Sequence, residues 1–300
     1  VFFLSLLRSF RTTNLRHLCQ QQAETFQVAG NLLHQNWRRR IEVRYGRERK
    51  FLLEDQPVRT AGEFIGQFQV VVFSPDDLQL IQGPATLRRR WLDMLLATSC
   101  PHYLTNLQEY ANGLRQRNAA LRRMPQAAAA FEPSLATSGA ALINARQELI
   151  HNLEPVIQEK FTRVLDSPSE FKLHLRSQPE TAQASTFQEK LAATRQRDQD
   201  LGFTGTGPHL DDLIFLLNGH ELRHHGSSGQ CRLAALFLKL ASAQWCRRAA
   251  NPRQQSTLML VDDVMAELDQ PSREIFCDEL QRAEQLLLTC TNISSIPEYW

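Results

Sequence analysis

The sequence has few of the features that mark membrane-bound or disulfide-rich proteins. Its six cysteines, scattered between Cys19 and Cys290, form no CxxC pair and no metal-ligand spacing, which favours a reducing compartment and argues against a structural zinc site. The opening run, VFFLSLL, is far shorter than the roughly 20 apolar residues of a membrane span. It also has no basic leader or small-residue cleavage site. These absences predict a cytoplasmic protein that has no membrane anchor.

An excess of charge of one sign is also missing. Lys and Arg number 34 against 32 Asp and Glu, a formal net charge of +2, which by itself is too small to indicate a nucleic-acid-binding protein. The arginines nevertheless form clusters at residues 38–40, 88–90 and 122–123. Each cluster fits either a solvated surface or part of a basic face, and the sequence leaves both open. The 300 residues suffice for two domains or for one large layered domain with an insertion.

The spacing of apolar residues in the first third predicts one helix followed by strands. Apolar residues recur at helical spacing from Phe2 to Phe10, with no capping residue before them, as in a helix whose beginning is absent. Residues 26–60 read as antiparallel strands with turns at Gly46 and at 54–57. Residues 69–73 form a short β-branched run that suits a buried strand.

The remaining residues alternate between helical and strand patterns. Apolar stripes predict helices at 103–114 and 142–164, the second kinked or split by Pro155. Between these helices we expect a weak loop, and residues 85–165 read as a helical part inserted into a β-containing one. The later elements are predicted as a strand at 172–175, a helix at 187–200 capped by Gly202, a hairpin at 212–223 turning at Asn218-Gly219, and a buried strand at 257–261.

The stretch HHGSSGQCRLAALFLKLA, residues 224–241, joins small polar residues to an apolar helix. Ser227 or Ser228 can cap this helix by accepting hydrogen bonds from its first free N–H groups. The same helix start, with Gly229 and two hydroxyls, can also hold a phosphate, because its unpaired N–H groups and positive dipole end attract anions. The stretch alone leaves both interpretations open.

A second informative stretch, STLMLVDDVMAELD, covers residues 256–269. Its apolar strand ends in Asp262 and Asp263, which is the Walker B pattern. Ligands bind beyond the carboxyl ends of strands in open α/β sheets. Asp262 would therefore hold Mg²⁺ through water, and Asp263 would orient or deprotonate an attacking water. A strand end that leads into a capped turn is the competing interpretation.

Together the two stretches resemble the nucleotide-binding half of an ATP-binding-cassette (ABC) ATPase, and five ordered blocks resemble the RecF family. The blocks are RSFRTTNLRHL (8–18), VVVFSPDDLQLIQGPATLRRRWLD (70–93), ATRQRDQDLGFTGTGPHLDDL (193–213), residues 226–232 and LVDDVMAELD (260–269). The resemblance implies an α/β fold: an ABC-type P-loop ATPase head with an antiparallel β-subdomain and an inserted helical lobe. Its implied boundaries are 1–84 and 171–300 for the head and 85–170 for the lobe.

The resemblance also implies ATP and Mg²⁺ as cofactors and an ATP-dependent homodimer. The helix start of one copy would close on the terminal phosphate held by the other, with the loop of residues 267–269 crossing between copies. The implied nucleotide contacts are Ser227, Ser228, Gly229, Gln230, Glu267, Asp269 and Thr289. Asp262 would be the metal ligand and Asp263 the catalytic residue. The implied role is DNA repair, recombination and replication restart, including the SOS response, by helping RecO and RecR to load RecA at gapped DNA.

The sequence departs from the family pattern in several places. It contains no GxxxxGK[ST], the phosphate loop that supplies the main contacts to the β- and γ-phosphates. We therefore expect the 300-residue chain to bind ATP poorly and its turnover to be weak or absent. Leu210 replaces an arginine, Ser228 stands where glutamine is common, and Cys290, flanked by Thr289 and Thr291, lies near the position of a switch histidine. Only those two hydroxyls could contact a γ-phosphate there.

Several roles stay open. His209, Asp211 and Asp212 suit either a functional site or turn chemistry before a strand, and residues 88–90 suit either DNA or a surface ion pair with Asp93. We predict a DNA-binding face whose arginines contact backbone phosphates, so that it binds DNA without sequence preference. These are Arg38, Arg39, Arg40, Arg122 and Arg123.

The alternatives to a RecF-like mediator are a non-enzymatic truncated adaptor that binds DNA or RecR, which the missing phosphate loop favours, and an ABC transporter subunit. The block at 74–78 and the hairpin at 212–223 do not favour a transporter.

Overall fold

The computed structural model describes residues 1–9, 12, 14–34, 37–100, 102–165, 168–179, 182–249 and 257–291. The chain forms two compact units: Val1–Pro75 with Ser242–Trp300, and Asp76–Ala241. The domain boundaries at 84 and 170 stay a prediction. Among the helices of the described residues, none combines the length and the hydropathy of a membrane-spanning segment.

Helices and strands alternate along the described residues. The strands are β1 (Phe26–His34), β2 (Trp37–Tyr45), β3 (Lys50–Leu53), β4 (Gln56–Val58), β5 (Gln69–Phe73), β6 (Phe171–Arg176), β7 (Asp212–Leu217), β8 (His220–Glu221), β9 (Thr257–Asp262) and β10 (Gln285–Thr289). The helices are α1 (Phe2–Leu6), α2 (Ala61–Phe64), α3 (Leu78–Gln82), α4 (Ala85–Ser99), α5 (Tyr103–Arg123), α6 (Glu132–Val164), α7 (Ala184–Leu201), α8 (Leu222–His225), α9 (Ser228–Ala249) and α10 (Gln270–Leu280).

The first unit contains an antiparallel sheet ordered β1-β2-β3-β4, which confirms the predicted strands of residues 26–60. The second turn is shorter than expected. It occupies Glu54 and Asp55, both at positive φ, and Pro57 lies in the edge strand β4, where its missing N–H removes no interior ladder bond. Helix α1 is also shorter than predicted, because Leu7 adopts φ 55 and ends it; Phe10 lies outside the described residues.

The first unit also contains a parallel sheet ordered β10-β9-β5, which confirms both predicted buried strands. Helix α10 packs on this sheet through Phe276, whose ring centroid lies 5.0 Å from that of Phe73. In the register of β9 and β10, Asp262 is opposite Thr289. Because the strands are parallel, their carboxyl ends lie at the same edge of the sheet.

The second unit packs helices around an antiparallel sheet ordered β6-β7-β8. The predicted turn is confirmed: Asn218 and Gly219 have φ 52 and 78, the positive values that a tight two-residue hairpin requires. Strand β8 is shorter than predicted because the chain enters α8, which buries Leu222. A 3-10 segment, Pro125–Phe131, stands where a loop was expected. Helix α9 begins in this unit, and its residues from Ser242 onward belong to the first.

Of the two outcomes expected at Pro155, a split of the helix was wrong, and a kink stays a prediction. Helix α6 runs through Pro155 over 33 residues. Leu149, Leu153 and Ile157 are buried before and after the proline. Burial of these three side chains stabilises the structure by more than the roughly 3 kcal/mol that a proline costs in a helix interior. Tertiary packing therefore holds the helix together where local propensity alone would end it.

Candidate functional site

The carboxyl ends of β9 and β10 bring two predicted site residues together. The Asp262 carboxylate accepts a hydrogen bond from the Thr289 hydroxyl, with 2.7 Å between Thr289 Oγ1 and Asp262 Oδ1. Asp262 is half-buried, whereas Thr289 is exposed. The parallel pairing explains this contact, because it puts the last residues of the two strands side by side.

Asp263 follows the strand in the left-handed region, with φ 53. Its N–H donates to the carbonyl of Thr289 at 3.1 Å, which continues the pairing for one further step. Its Oδ1 accepts from both the N–H and the hydroxyl of Thr291, each at 3.1 Å. The two carboxylates are therefore each oriented by a threonine: Asp262 by Thr289, the last residue of β10, and Asp263 by Thr291, two residues further on.

The donor set at this edge suits a cation carried by a phosphate ligand. Both aspartates use Oδ1 for their threonine bonds, and no donor among the described residues bonds to either Oδ2. Clusters of three or more His, Cys, Asp or Glu that could hold a metal are absent from the described part of the chain. Mg²⁺ is commonly bound by one or two carboxylates, with water and substrate phosphates as its other ligands. The residues present fit such an ion.

The start of α9 forms a capping box. The N–H of Gln230 donates to the Ser227 hydroxyl at 3.1 Å, and the N–H of Ser227 donates to Gln230 Oε1 at 2.9 Å. This reciprocal pair satisfies two of the donors that a helix start leaves free. The interpretation of Ser227 as a helix cap therefore holds, and its hydroxyl is already engaged.

Two backbone donors remain at this helix start. The N–H groups of Ser228 and Gly229 have no acceptor among the described residues, and both residues are exposed. A Cβ built on Gly229 would meet only the Ser227 hydroxyl, at 3.9 Å, so the space around these amides is open. Ser228 and Gly229 belong to the second unit, and Asp262 belongs to the first.

The loop after β9 leads into α10 and supplies the residue that caps this helix. Asp269 caps α10, because its Oδ1 accepts from the N–H of Ser272 at 3.1 Å. Glu267 ends a 3-10 turn and is exposed. A role for either residue between two copies stays a prediction.

The predicted DNA-face arginines of the first unit lie on β2, where alternation separates them. Arg38 and Arg40 project to one face and Arg39 to the other. Arg38 is exposed. Arg39 donates to the side chain of Gln67. Arg40 forms ion pairs with Glu42 at 3.1 Å and Asp55 at 3.2 Å.

Glu42 interrupts this basic strand. The Glu42 side chain is 1% exposed and forms ion pairs with both Arg40 and Arg44. Hydrogen bonds from Arg44, and then from Arg40, lower the pKa of Glu42. One buried negative charge therefore offsets part of the positive charge that β2 presents.

The arginines predicted for the second unit lie in the last turn of α5. Arg122 and Arg123 are both exposed, and Arg122 Nε donates to the backbone carbonyl of Asn118 at 3.0 Å. Their guanidinium groups are accessible to a phosphate. Their role in binding DNA, like that of residues 38–40, stays a prediction.

Arg88 and Asp93 do not face each other at the surface, contrary to one interpretation of the sequence, and Arg88 does not face DNA. Arg88 is 1% exposed. Its guanidinium binds both carboxylate oxygens of Asp212, at 2.6 and 3.0 Å, and the carbonyl of Gly83 at 2.7 Å. Asp93 instead accepts from Arg146 at 2.8 Å.

Arg146 is a functional-looking side chain that sequence reasoning missed. It lies on α6, is 2% exposed, and its Nη1 donates to Asp211 Oδ2 at 2.6 Å and to the Pro208 carbonyl at 2.7 Å. Asp211 also accepts from Ser177 Oγ at 2.6 Å. Asp211 and Asp212 are both buried and paired with arginines, so within this unit they hold the loop before β7 in place.

His209 completes this loop. Its Nε2 lies 3.0 Å from the carbonyl of Thr204, so this nitrogen carries the proton and Nδ1 accepts from the hydroxyl of Tyr110 at 2.7 Å. Burial lowers the pKa of His209 and raises that of Tyr110. Leu210 is 52% exposed, so the family arginine that it replaces would point away from this buried set.

Comparison with known proteins places the chain among RecF proteins. It is 34% identical over 280 residues to the DNA replication and repair protein RecF of Anaeromyxobacter sp. (strain Fw109-5), covering 90% of this chain and 75% of that protein. It is 32% identical over 308 residues to the protein of the same name from Geobacter sulfurreducens, covering 99% and 83%. No protein-family model matches the chain.

Solved structures give the same result for the fold. A structure of the recombination mediator protein RecF-ATPrS in the RecFOR pathway has a TM-score of 0.86 and 25% identity, covering 99% of this chain and 82% of that one. A structure of RecF-ATP, at 24% identity, also has a TM-score of 0.86. The fold is therefore that of an α/β ATPase head of the ABC type, as the sequence predicts. The chain belongs to the RecF family of DNA replication and repair proteins.

Proposed function

We propose that this chain is a recombination mediator of the RecFOR pathway that binds ATP and DNA and promotes the loading of RecA at gapped DNA with RecO and RecR. Its RecF relatives match 90% or more of the chain, and the solved RecF structure that it resembles over 99% of its length is described as a recombination mediator in that pathway. The site at the ends of β9 and β10 supports the nucleotide part of this proposal.

In this proposal Asp262 holds Mg²⁺, with the Thr289 hydroxyl beside it. A magnesium ion there supplies positive charge that stabilises the phosphates during phosphoryl transfer. Asp263 is the catalytic residue: its carboxylate, fixed through Oδ1 by Thr291, orients or deprotonates the attacking water with Oδ2. Hydrogen bonding to threonine rather than to arginine leaves the negative charge of both carboxylates uncompensated, which both roles require.

The second half of the nucleotide site would come from another copy of the chain. The free N–H groups of Ser228 and Gly229 bind the terminal phosphate held by the partner, while Ser227 and Gln230 keep the helix start in position. Glu267 and Asp269 belong to the loop between copies. The positive end of the α9 dipole adds to the attraction for this phosphate.

DNA binding would be shared by the arginines of β2 and α5. Arg38, Arg122 and Arg123 are exposed, and guanidinium groups that bind backbone phosphates carry no sequence information. We therefore propose binding without sequence preference that weakens steeply with salt. Arg40 contributes less than its neighbours because Glu42 and Asp55 already engage it.

The observation that carries the nucleotide proposal is the pair of bonds from Thr289 to Asp262 and from Thr291 to Asp263 at one edge of the parallel sheet. Sedimentation velocity with millimolar Mg²⁺ and ATP tests it. Because the sequence has no GxxxxGK[ST] to contact the β- and γ-phosphates, we expect ATP to promote self-association of the parent chain only at such millimolar concentrations. The Asp262→Asn variant should lose this response. Glu274→Gln, an exposed carboxylate of α10, is the matched control and should associate like the parent. An Asp262→Asn chain that still associates would refute the assignment.

A further inference from the structure

Phe203 is an unusual residue in this molecule. Among the Phe, Tyr and Trp residues whose side chains the structure describes, it is the one that is exposed, with 48% of its surface accessible. It lies directly after α7, next to Gly202, which ends the helix at φ 73. An aromatic side chain left in water keeps a large apolar face available for stacking.

The backbone around Phe203 is fixed by a Schellman motif. The N–H of Gly202 donates to the carbonyl of Gln199, and the N–H of Phe203 donates to that of Asp198, each at 3.2 Å. In such motifs an apolar residue at the Phe203 position usually packs on the residue at the Asp198 position or the one before it. Here Asp198 is buried and binds Arg117 at 2.7 Å, and residue 197 is an exposed arginine. Neither offers the ring its usual apolar partner.

The loop is also fastened to the end of α5. Asn118 Oδ1 accepts from the N–H and the hydroxyl of Thr204 at 2.8 and 2.7 Å. The stem of Arg122 lies over Gly202, where an added Cβ would be 3.2 Å from Arg122 Cγ. Phe203 thus lies between two anchored residues, so its ring is presented by a rigid backbone rather than by a mobile loop.

The contact between Arg122 and Gly202 brings the end of α5 next to the residue before Phe203, and exposed basic and apolar residues flank this contact in sequence. Arg122 and Arg123 end α5, and the next residue, Met124, is 66% exposed, while Leu201 before Gly202 is 49% exposed. The patch therefore combines one aromatic face, two aliphatic side chains and two guanidinium groups. Asp200, which precedes Leu201, is also exposed and adds one negative charge next to the patch in sequence.

We propose that this patch, formed by Arg122, Arg123, Met124, Leu201 and Phe203, is a binding site for an unpaired nucleotide, with the base stacked on Phe203 and the flanking phosphates held by Arg122 and Arg123. The proposal rests on the proposed DNA-binding function and adds to it a preference for single-stranded segments. An aromatic ring next to arginines is the usual arrangement for binding single strands without sequence preference. Met124 and Leu201 would border the base and keep it from restacking on its neighbours.

The composition favours a nucleotide over a protein partner. A stable protein interface needs roughly 20–30 residues a side, whereas the apolar part of this patch consists of three side chains. An unpaired base needs only one ring face and nearby cations. The rigid backbone also suits a stacking platform, because a preorganised ring loses little entropy on binding.

Affinity measurements on matched DNAs test the proposal: a single strand, a gapped duplex and a blunt duplex of the same sequence. We expect Phe203→Ala to weaken binding to the single strand and the gapped duplex by about 5- to 140-fold, the range measured for loss of one stacked base, and to leave the blunt duplex unaffected. Phe203→Trp should retain the parent affinity. Leu33→Ala, which truncates a side chain 73% exposed in the first unit, is the control and should bind all three DNAs like the parent.

A second measurement locates the contact directly. A single strand that carries 5-iodouracil should cross-link to Phe203 under ultraviolet light, and mass spectrometry identifies the modified residue. Equal losses on all three DNAs, or a cross-link elsewhere, would overturn the stacking site. A Phe203→Ala chain with unchanged DNA affinity would also overturn it and leave the patch to a protein partner. If the parent binds no DNA at all, the proposed DNA-binding function fails together with this site. If the parent binds DNA and the Phe203→Ala chain binds it equally well, only the stacking site fails.

Discussion

Of the three Asp-Asp pairs in the sequence, two directly adjoin the end of a strand, and their environments are opposite. Asp211 and Asp212, at the start of β7, are 1% and 5% exposed and bind Arg146 and Arg88. Asp262 and Asp263, at the end of β9, are half-exposed, and within the described ranges their carboxylates bind only hydroxyl and amide groups of threonines. The first pair has its charge neutralised inside the second unit, whereas the second pair keeps its charge at an accessible edge.

The comparison shows that the partners of a carboxylate, rather than its sequence pattern, separate a structural role from a chemical one. A carboxylate with an arginine partner cannot hold a cation without first losing a bond that the fold needs. A carboxylate oriented by hydroxyl groups retains the charge that attracts Mg²⁺. In sequence the two pairs look alike, since both lie next to apolar strands.

The largest expected effect comes from removing the arginine of the buried pair. Arg146→Met leaves Asp211 and Asp93 without their charged partner, and breaking a buried ion pair in this way costs about 3–5 kcal/mol. Urea unfolding monitored by circular dichroism measures the loss. Replacing all three residues together with apolar ones should restore much of it. A loss below about 1 kcal/mol, the scale of a surface pair, would contradict the structural role.

A smaller effect separates the two Asp pairs directly. Asp211→Asn removes the charge that Arg146 binds, so we expect it to destabilise the chain by a few kcal/mol (about 2–3). Asp263→Asn should change the unfolding free energy by less than about 1 kcal/mol, because asparagine accepts the same bonds and tolerates the left-handed backbone. The same unfolding measurement compares both variants. Equal destabilisation would remove the distinction between a buried and an accessible pair.

The smallest expected effect is a pH dependence from His209. Burial lowers its pKa below the ordinary 6.5, so as the pH falls the unfolded chain takes up this proton before the folded chain does. Stability is therefore fully present above about pH 6.5 and declines below it. Protonation at Nδ1 would also remove the acceptor of the Tyr110 hydroxyl. Thermal unfolding between pH 8 and pH 5.5 measures this decline, and His209→Gln should flatten it. An unchanged slope in that variant would place the titrating group elsewhere.

Local patterns sufficed for most of the fold. Alternation predicted β1 to β3, the Asn218-Gly219 pair predicted its turn, and Gly202 was correctly expected to end α7. The Walker B pattern predicted the strand that ends at Asp262. These features depend on residues close together in sequence, where period and turn chemistry are informative.

The buried ion pairs could not be read in the same way, because their members are far apart: Arg88 and Asp212 are separated by 124 positions. One signal was nevertheless present. Arg146 lies on the same predicted apolar stripe as Leu142 and Leu149, and Arg117 continues the stripe of Tyr110. An arginine on a face that must be buried requires a carboxylate partner. The pattern thus predicts that a partner exists without identifying it.

The reciprocal bonds between Ser227 and Gln230 have a consequence for ligand capture. They hold the first turn of α9 in its final shape before any anion arrives, so the amides of Ser228 and Gly229 need no rearrangement to meet one. The entropy of ordering this segment is lost when the chain folds rather than when it binds. Capture of a phosphate at this position would then be limited by the encounter of the two molecules.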